Sequence, residues 1–169
     1  SLIHPALYDV AQVFTGACND VGGVVWGRAC NNTDKARGVS CNDGSDYFYT
    51  TFKHELGHQF SGGHTFNSCN GSSQFNPHSA FEPGAGSTIL SYGSSCGSDN
   101  VGDRIDYFHS INIIEISSYA EALASTCGTF DLSSANQPPV IQLAPNQAGV
   151  NIPIMTPFEL YGTATDANK

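Results

Sequence analysis

The sequence predicts an α/β (α+β) fold with a short β tail, and three observations support that class. The stretch GGVVWGRAC at 22–30 is β-branched and aromatic between glycines, which is typical of a strand, and ARGVSC at 36–41 fits the return strand of a hairpin. Apolar residues recur every four positions between 47 and 60, which predicts a helix with one apolar face and a cap at Ser45 or Asp46.

The remaining elements are two further helices, one long irregular stretch and a strand-like tail. Helical spacing of apolar residues predicts a helix over ALYDVAQVF at 6–14. Another helix is expected from Ser110, a possible N-cap, to about Cys127-Gly128. Its apolar stripe comprises Ile113, Ile116, Ala120, Leu123 and Ala124. Residues 67–103 are rich in Ser, Gly and Asn, and so long an irregular stretch is often functional.

The domain organisation follows from a change in composition near SSANQPPV. We expect one catalytic-type domain at 1–132, a linker at 133–139 and a truncated β-sandwich-like segment at 140–169, in which VIQLAP and FELYGTATDANK alternate as strands do. The chain starts with Ser1 and shows no signal peptide, as expected of a processed or trimmed product.

Composition excludes two classes of partner. The formal net charge is −9 and the six Lys and Arg residues are scattered, so a nucleic-acid interface is not expected. No apolar run approaches the roughly 18 residues of a membrane helix. The six cysteines indicate an oxidising compartment and three disulfides, hence a secreted, extracellular protein.

Three of the six histidines, His54, His58 and His64, lie within eleven residues. Residues four apart share a helix face, so the first two imidazoles form a half-site for zinc. Gly62-Gly63 end the helix and let the third imidazole return to the same point. Three protein ligands leave the fourth position for water, which is typical of a catalytic zinc, whereas a structural site takes four. Glu55 projects about 100° away and reaches that water as the general base of peptide hydrolysis.

With this motif in place, residues 6 to about 130 resemble the metzincin zinc metallopeptidases, in particular the reprolysin-like branch. The resemblance implies a twisted mixed sheet above a cleft, a zinc-binding helix and a C-terminal helix. It implies His54, His58 and His64 as ligands of one catalytic Zn²⁺, with Glu55 as general base. It also implies an edge strand that binds substrate through Val24, Val25 and Trp26. For Trp26, packing against the neighbouring helix is the alternative.

The stretch GSTILSYG at 86–93 resembles the Met-turn beneath the zinc, with Leu90 at the methionine position. Tyr92 matches a tyrosine that some metzincins use near the metal, and a packed, hydrogen-bonded tyrosine is the alternative. The family has glycine where this chain has Ser61, so either Gly62 takes the bend or Ser61 adopts a strained conformation. Only 53 residues precede His54, so the first strands and a helix of the domain are expected to be missing.

The six cysteines allow 15 pairings. In the hairpin, Cys41 at the open end reaches Cys18 rather than Cys30. Cys69 and Cys96 lie on segments that converge beneath the metal. Cys30 then pairs with Cys127, which resembles a long-range bridge of reprolysins.

The leading functional hypothesis is a secreted zinc endopeptidase whose partner is a peptide or protein substrate, with a missing N-terminal part or a propeptide as a further partner. A catalytically inactive zinc-binding fragment or pseudo-peptidase is the first alternative, and a non-enzymatic adhesion or binding module is the second. Asp103 and Asp106 are candidate Ca²⁺ ligands, although a solvated charge cluster around Arg104 fits them better.

Overall fold

The computed structural model describes residues 3–16, 18, 21–41, 47–124, 126–128 and 137–167. The chain forms two compact units, Ser1–Thr129 and Phe130–Lys169. The mixture of helices and strands confirms the α+β class. In the described part of the chain, no helix has both the length and the apolarity that a membrane crossing requires. The first unit contains β1 (Gln12–Thr15), β2 (Gly23–Val25), β3 (Gly38–Cys41), α1 (Tyr47–Gln59) and α2 (Ser110–Leu123).

The three strands of the first unit form a mixed sheet in the order β1-β3-β2. β1 runs parallel to β3, whereas β2 runs antiparallel to it and lies at one edge. Hydrogen bonds from Trp26 N to Arg37 O and from Cys41 N to Gly22 O show which residues face β3. Because main-chain direction alternates along a strand, Gly23 and Val25 direct their N–H and C=O groups away from the sheet.

The helix predicted over 6–14 is wrong. The segment forms a short 3-10 turn at Pro5–Leu7, and its second half continues into strand β1. Pairing with β3 satisfies the main chain of β1, and the Gln12 side chain donates to Gln59 at 2.8 Å. Phe14 meets the rings of Phe48 and Phe52 edge-on at 5.2 and 5.3 Å. These tertiary contacts override the local apolar spacing, because a helix so short is only marginally stable by itself.

One strand length, one helix cap and one helix face also differ from the predictions. β2 ends at Val25 rather than at 30, because the chain turns at Ala29-Cys30 and Cys30 adopts a φ of 65°. Helix α2 is capped by His109, whose ring accepts from Ile111 N, so Ser110 is not the cap. The predicted apolar stripe is wrong at Ile113, which is 56% exposed, and at Ala120, which is also exposed, whereas the polar Asn112 is fully buried. The Asn112 amide donates to Gly63 O, next to the third histidine, which explains a buried polar residue on this helix.

Helix α1 ends through Ser61 rather than through the glycines after it. Ser61 adopts a left-handed φ of 72°. Its N–H donates to His58 O at 2.9 Å, and the N–H of Gly62 donates to Gly57 O at 2.9 Å. This pair of bonds is a Schellman motif, in which glycine is the usual left-handed residue. Ser61 therefore takes the strained conformation, and the bend stays where the family has its glycine. The proposed caps Ser45 and Asp46 lie outside the described residues.

We expect Ser61→Gly to raise the free energy of unfolding by about 0.5–1 kcal/mol, because glycine relieves a left-handed strain of about 1–2 kcal/mol but adds entropy to the unfolded chain. Denaturant melts of the zinc-loaded protein measure the change. Ser61→Ala is the matched control, since it removes the hydroxyl and keeps the Cβ. If Ser61→Gly and Ser61→Ala had equal free energies of unfolding, the stabilisation would not come from the left-handed backbone at residue 61.

The irregular stretch between α1 and α2 is held by turns, a single-turn 3-10 helix at Gly97–Asp99 and one bridge between Phe66 and Glu82. A Cys69–Cys96 disulfide closes it, with Cα atoms 4.8 Å apart. The other bridges are Cys18–Cys41 and Cys30–Cys127, with Cα separations of 5.8 and 6.0 Å. These are the pairs expected from the sequence. A covalent closure of this stretch compensates in part for its lack of regular secondary structure.

The second unit contains an antiparallel pair, β4 (Val140–Leu143) and β5 (Gly162–Thr165). All residues of both strands are exposed. Ile141 is 74% exposed and Leu143 is 55% exposed, so the pair has no core of its own. The predicted linker falls partly on 133–136, outside the described residues.

Candidate active site

Three imidazole nitrogens converge at the end of helix α1. The Nε2 atom of His58 lies 3.0 Å from Nε2 of His54 and 3.0 Å from Nε2 of His64. The remaining pair, His54 and His64, is 3.3 Å apart. The helical spacing of four places the first two rings on one face, and the Ser61 bend returns the chain with the third.

A main-chain carbonyl orients each ring from the opposite side. The Nδ1 atoms of His54, His58 and His64 lie 2.7, 2.8 and 2.9 Å from carbonyl oxygens. A carbonyl only accepts hydrogen bonds, so each Nδ1 carries the proton and each Nε2 presents a lone pair. The accepting carbonyls belong to Ile89, Gly62 and Gln74, respectively.

This donor set fits a zinc ion. Three lone pairs facing one another without a proton between them repel, and a cation at their centre removes that repulsion. Zinc–imidazole bonds of about 2.0–2.1 Å place tetrahedral ligand nitrogens about 3.4 Å apart, close to the observed separations. Hydrogen-bonded Nδ1 atoms are the usual outer partners of zinc-binding histidines. His54, His58 and His64 would therefore hold the metal.

The environment keeps the three histidines neutral, which is the form that binds metal. Burial, together with the neighbouring His58 and His64, lowers the pKa of His54 well below its ordinary value. Burial also lowers the pKa of His58. Burial and then the proximity of His58 lower the pKa of His64 to about 4. All three rings are consequently neutral at neutral pH, with the proton on Nδ1 and the lone pair on Nε2.

Glu55 lies between the histidines and the edge strand. Its side chain is only 5% exposed, and burial raises its pKa to about 7. A Cβ placed on Gly23 would lie 2.6 Å from its Cγ and Oε1 atoms. Glycine at this position of β2 therefore makes room for the carboxyl group. A nearby cation would lower this pKa again, because an opposite charge favours the carboxylate.

A cleft of about 970 Å³ contains all of these groups. Its lining includes Val24, Val25 and Trp26 of the predicted substrate strand, together with the three histidines and Glu55. Trp26 is 72% exposed, so its ring is largely unburied. The cleft is large enough for a peptide segment and has the sheet edge along one side.

The family model for Metallo-peptidase family M12B, Reprolysin-like, matches residues 1–120. This chain belongs to that family. The resemblance stated from the zinc motif is confirmed, and the family is one of metallopeptidases. No curated protein and no solved structure matches the chain significantly.

In this reprolysin-like chain, the segment at 86–93, which the resemblance implies to be the Met-turn, contacts helix α1 and the chain beside the third histidine. Leu90 is fully buried, and a Cβ on Gly57 would lie 3.2 Å from its Cδ atoms. Its carbonyl accepts from Thr65 N at 3.0 Å, beside the third histidine. The preceding carbonyl, of Ile89, orients His54. Leu90 thus packs against the end of helix α1 near the three histidines, where a methionine of similar size would also fit.

Tyr92 packs against the histidines of this reprolysin-like site. Its ring centroid lies 4.7 Å from that of His64 and 5.9 Å from that of His54. Its hydroxyl donates to the side-chain oxygen of Gln74 at 2.7 Å. Burial, and then the charge of Glu55, raise the pKa of Tyr92. Gln74 therefore contacts the site twice, since its main-chain carbonyl also orients His64.

Two carboxylates, the half-buried Glu115 and the buried Glu82, support the site and were not foreseen. Glu115 of α2 accepts from Gly63 N at 2.9 Å, and Asn112 donates to Gly63 O at 2.8 Å. Together they fix the chain between the second and third histidines. The only sequence signal was a polar pair three residues apart on an apolar helix.

Glu82 accepts hydrogen bonds from Thr65, which follows the third histidine, and from Ser87 and Thr88 of the segment at 86–93. Burial raises its pKa, but these bonds outweigh burial and hold the pKa below its ordinary value. Glu82 is the only Asp, Glu, Lys or Arg residue between 67 and 98. This isolation is the feature of the sequence that could have indicated its structural role.

Two other candidate metal-binding groups contain residues that already have a protein partner. Asp106, a proposed Ca²⁺ ligand, pairs with Lys53 at 2.6 Å. Among the described residues, Asp9, Cys30 and Cys127 form a further cluster of metal-type ligands. Those two cysteines are joined as a disulfide, so their sulfur atoms are not thiolate ligands.

Proposed function

We propose that this chain is a secreted zinc-dependent endopeptidase that hydrolyses peptide bonds with Glu55 as general base. The observation that carries the proposal is the convergence of three Nε2 atoms within 3.0–3.3 Å beside a buried carboxyl group. Membership of a metallopeptidase family supports it. The three disulfides are consistent with an extracellular location.

In the proposed hydrolysis, each residue of the site has a separate role. Zinc held by His54, His58 and His64 would supply Lewis-acid chemistry, which would polarise a substrate carbonyl and lower the pKa of a water molecule. Glu55 accepts a proton from the attacking water and then donates it to the leaving amine. Tyr92, in contact with two of the three imidazoles, is a candidate to hydrogen-bond the polarised oxygen after leaving Gln74. The neutral histidines keep their rings fixed through their carbonyl partners.

An extended substrate would add as a further strand to the edge of the sheet. Gly23 and Val25 offer outward main-chain groups, and Val24, Val25 and Trp26 line the cleft. Gly23 also lies against Glu55. Pairing at this edge would therefore bring a peptide bond of the substrate beside the general base, which fits an endopeptidase.

Removal and return of the metal test the proposal. We expect the purified chain to contain one zinc per molecule and to cleave an unfolded protein such as casein. A chelator should abolish cleavage, and stoichiometric Zn²⁺ should restore it. Stoichiometric zinc without cleavage would instead identify an inactive pseudo-peptidase, and absence of zinc would overturn the metal site itself.

A further inference from the structure

The described lining of the cleft differs in its charged side chains from the chain as a whole. The sequence contains 15 acidic and 6 basic side chains, excluding histidine. Among the described residues that line the cleft, Arg28 and Arg104 are cationic, and Glu55 is the only carboxylate. The described part of the cleft lining therefore offers a peptide two guanidinium groups and one carboxyl group, in contrast to the acidic composition of the chain.

Arg104 is fixed close to the metal-binding residues. Its Nε donates to Gly93 O at 2.5 Å and its Nη2 donates to Ser95 Oγ at 3.1 Å. Gly93 directly follows Tyr92, whose ring contacts those of His54 and His64. Two neutral acceptors thus hold the guanidinium in place beside the site. A preordered arginine loses little side-chain entropy when it binds a carboxylate.

Arg28 lies farther along the same cleft. It follows β2 in the chain, and its guanidinium lies over the Tyr119 ring of α2 at 5.8 Å. Gly23, at the start of β2, packs against Glu55. A peptide that pairs along β2 would therefore meet Arg28 several residues away from the bond beside Glu55.

We propose that the cleft selects acidic peptides, with Arg104 as the specificity-determining residue near the scissile bond and Arg28 as a second, more distant one. This inference rests on the proposed peptidase function and names its substrate class. Asp103 adjoins Arg104 in the chain, whereas Asp106 is paired with Lys53. Acidic residues farther from the cleft oppose such binding only weakly, because charges beyond about 8 Å are screened at physiological salt. A guanidinium–carboxylate contact inside the cleft is direct and charge-assisted, so it outweighs that repulsion.

Binding to an inactive variant tests the inference independently of turnover. Three fluorescein-labelled decapeptide libraries would share one neutral background and carry Asp, Asn or Lys at the same two positions. Fluorescence anisotropy would measure their binding to the zinc-loaded Glu55→Gln protein at low and high salt. We expect the Asp library to bind about tenfold more tightly than the Asn library and the Lys library to bind most weakly. The preference should shrink as salt rises.

Substitutions in the same background assign the preference to individual residues. Arg104→Gln should abolish most of it while leaving binding of the Asn library within about twofold, and Arg104→Lys should retain part of it. Arg28→Gln should have a smaller effect. Arg37→Gln, which changes the net charge equally at a surface ion pair with Asp34, is the matched control and should retain the full preference.

Three results would overturn the inference. The first is equal binding of the Asp and Asn libraries. The second is a loss of affinity in Arg104→Gln that is the same for the Asp and Asn libraries. The third is loss of the preference for the Asp library in Arg37→Gln. The second would mean that Arg104 only supports the Gly93–Ser95 loop. Failure of the wild-type chain to cleave any library would contradict the proposed peptidase function alone, because the binding preference is measured without hydrolysis.

Discussion

Replacement of Glu55 by Gln is expected to leave zinc bound and to lower peptide hydrolysis by about 10²–10⁴-fold, or more if the carboxylate also stabilises the transition state. Glutamine has nearly the same volume, so it fits the space against Gly23 that the carboxyl group occupies. It cannot accept a proton from water, and it is not one of the three converging ligands. The substitution therefore removes proton transfer while leaving the metal site and the cleft intact.

Initial rates on casein and zinc content per molecule, measured on the same preparation, check this result. Glu121→Gln, which makes the same chemical change at an exposed position of α2, is the matched control and should retain full activity. Hydrolysis by the Glu55→Gln variant at a rate near that of the wild type would rule out Glu55 as general base. Loss of zinc from it would mean that Glu55 is a ligand or a support of one.

The His58→Ala variant should lose the metal itself and all measurable hydrolysis with it. His58 is the ring closest to both others, with both Nε2 separations at 3.0 Å. Its removal leaves two nitrogens 3.3 Å apart and two open positions for water. Removing an outer hydrogen-bond partner of a zinc ligand typically costs 10–100-fold in affinity, and loss of a ligand costs more.

Zinc retained after dialysis against a weak chelator measures the effect, together with the rise in melting temperature on adding Zn²⁺. His78→Ala is the control, because His78 is an exposed loop histidine outside the cleft lining. It should retain one zinc and a normal thermal shift. Full zinc content in the His58→Ala variant would exclude the three-histidine site.

The parts of the site that depend on short-range geometry were predictable, and the parts that depend on the loop were not. His54 and His58 share a helix face by the pitch of the helix alone. The carbonyls of Gln74 and Ile89 that orient His64 and His54 come from an irregular stretch without periodicity. No local pattern indicates which main-chain oxygen such a stretch presents.

The fold was predictable where hydrophobic period and turn residues agreed. Helix α1 has both, since its apolar residues recur every four positions and the glycines at 62–63 follow it. The segment at 6–14 carries apolar spacing that fits a helix, yet its neighbours in space turn its second half into β1. The burial of Asn112 on α2 likewise could not be predicted from the local sequence pattern. The residue is buried because Gly63 needs a donor there, which only the tertiary structure determines.

The way the three histidines are held also links metal affinity to the folding of the long loop. All ligating nitrogens come from eleven consecutive residues, so the unfolded chain retains the same imidazoles with freely rotating rings. What folding adds is the fixed orientation provided by Gln74 and Ile89, within a stretch that the Cys69–Cys96 bridge closes. By thermodynamic reciprocity, the factor by which loop closure tightens zinc binding equals the factor by which zinc favours loop closure. Reduction of that bridge and withdrawal of zinc are therefore two perturbations of one equilibrium, and each should increase the response of the chain to the other.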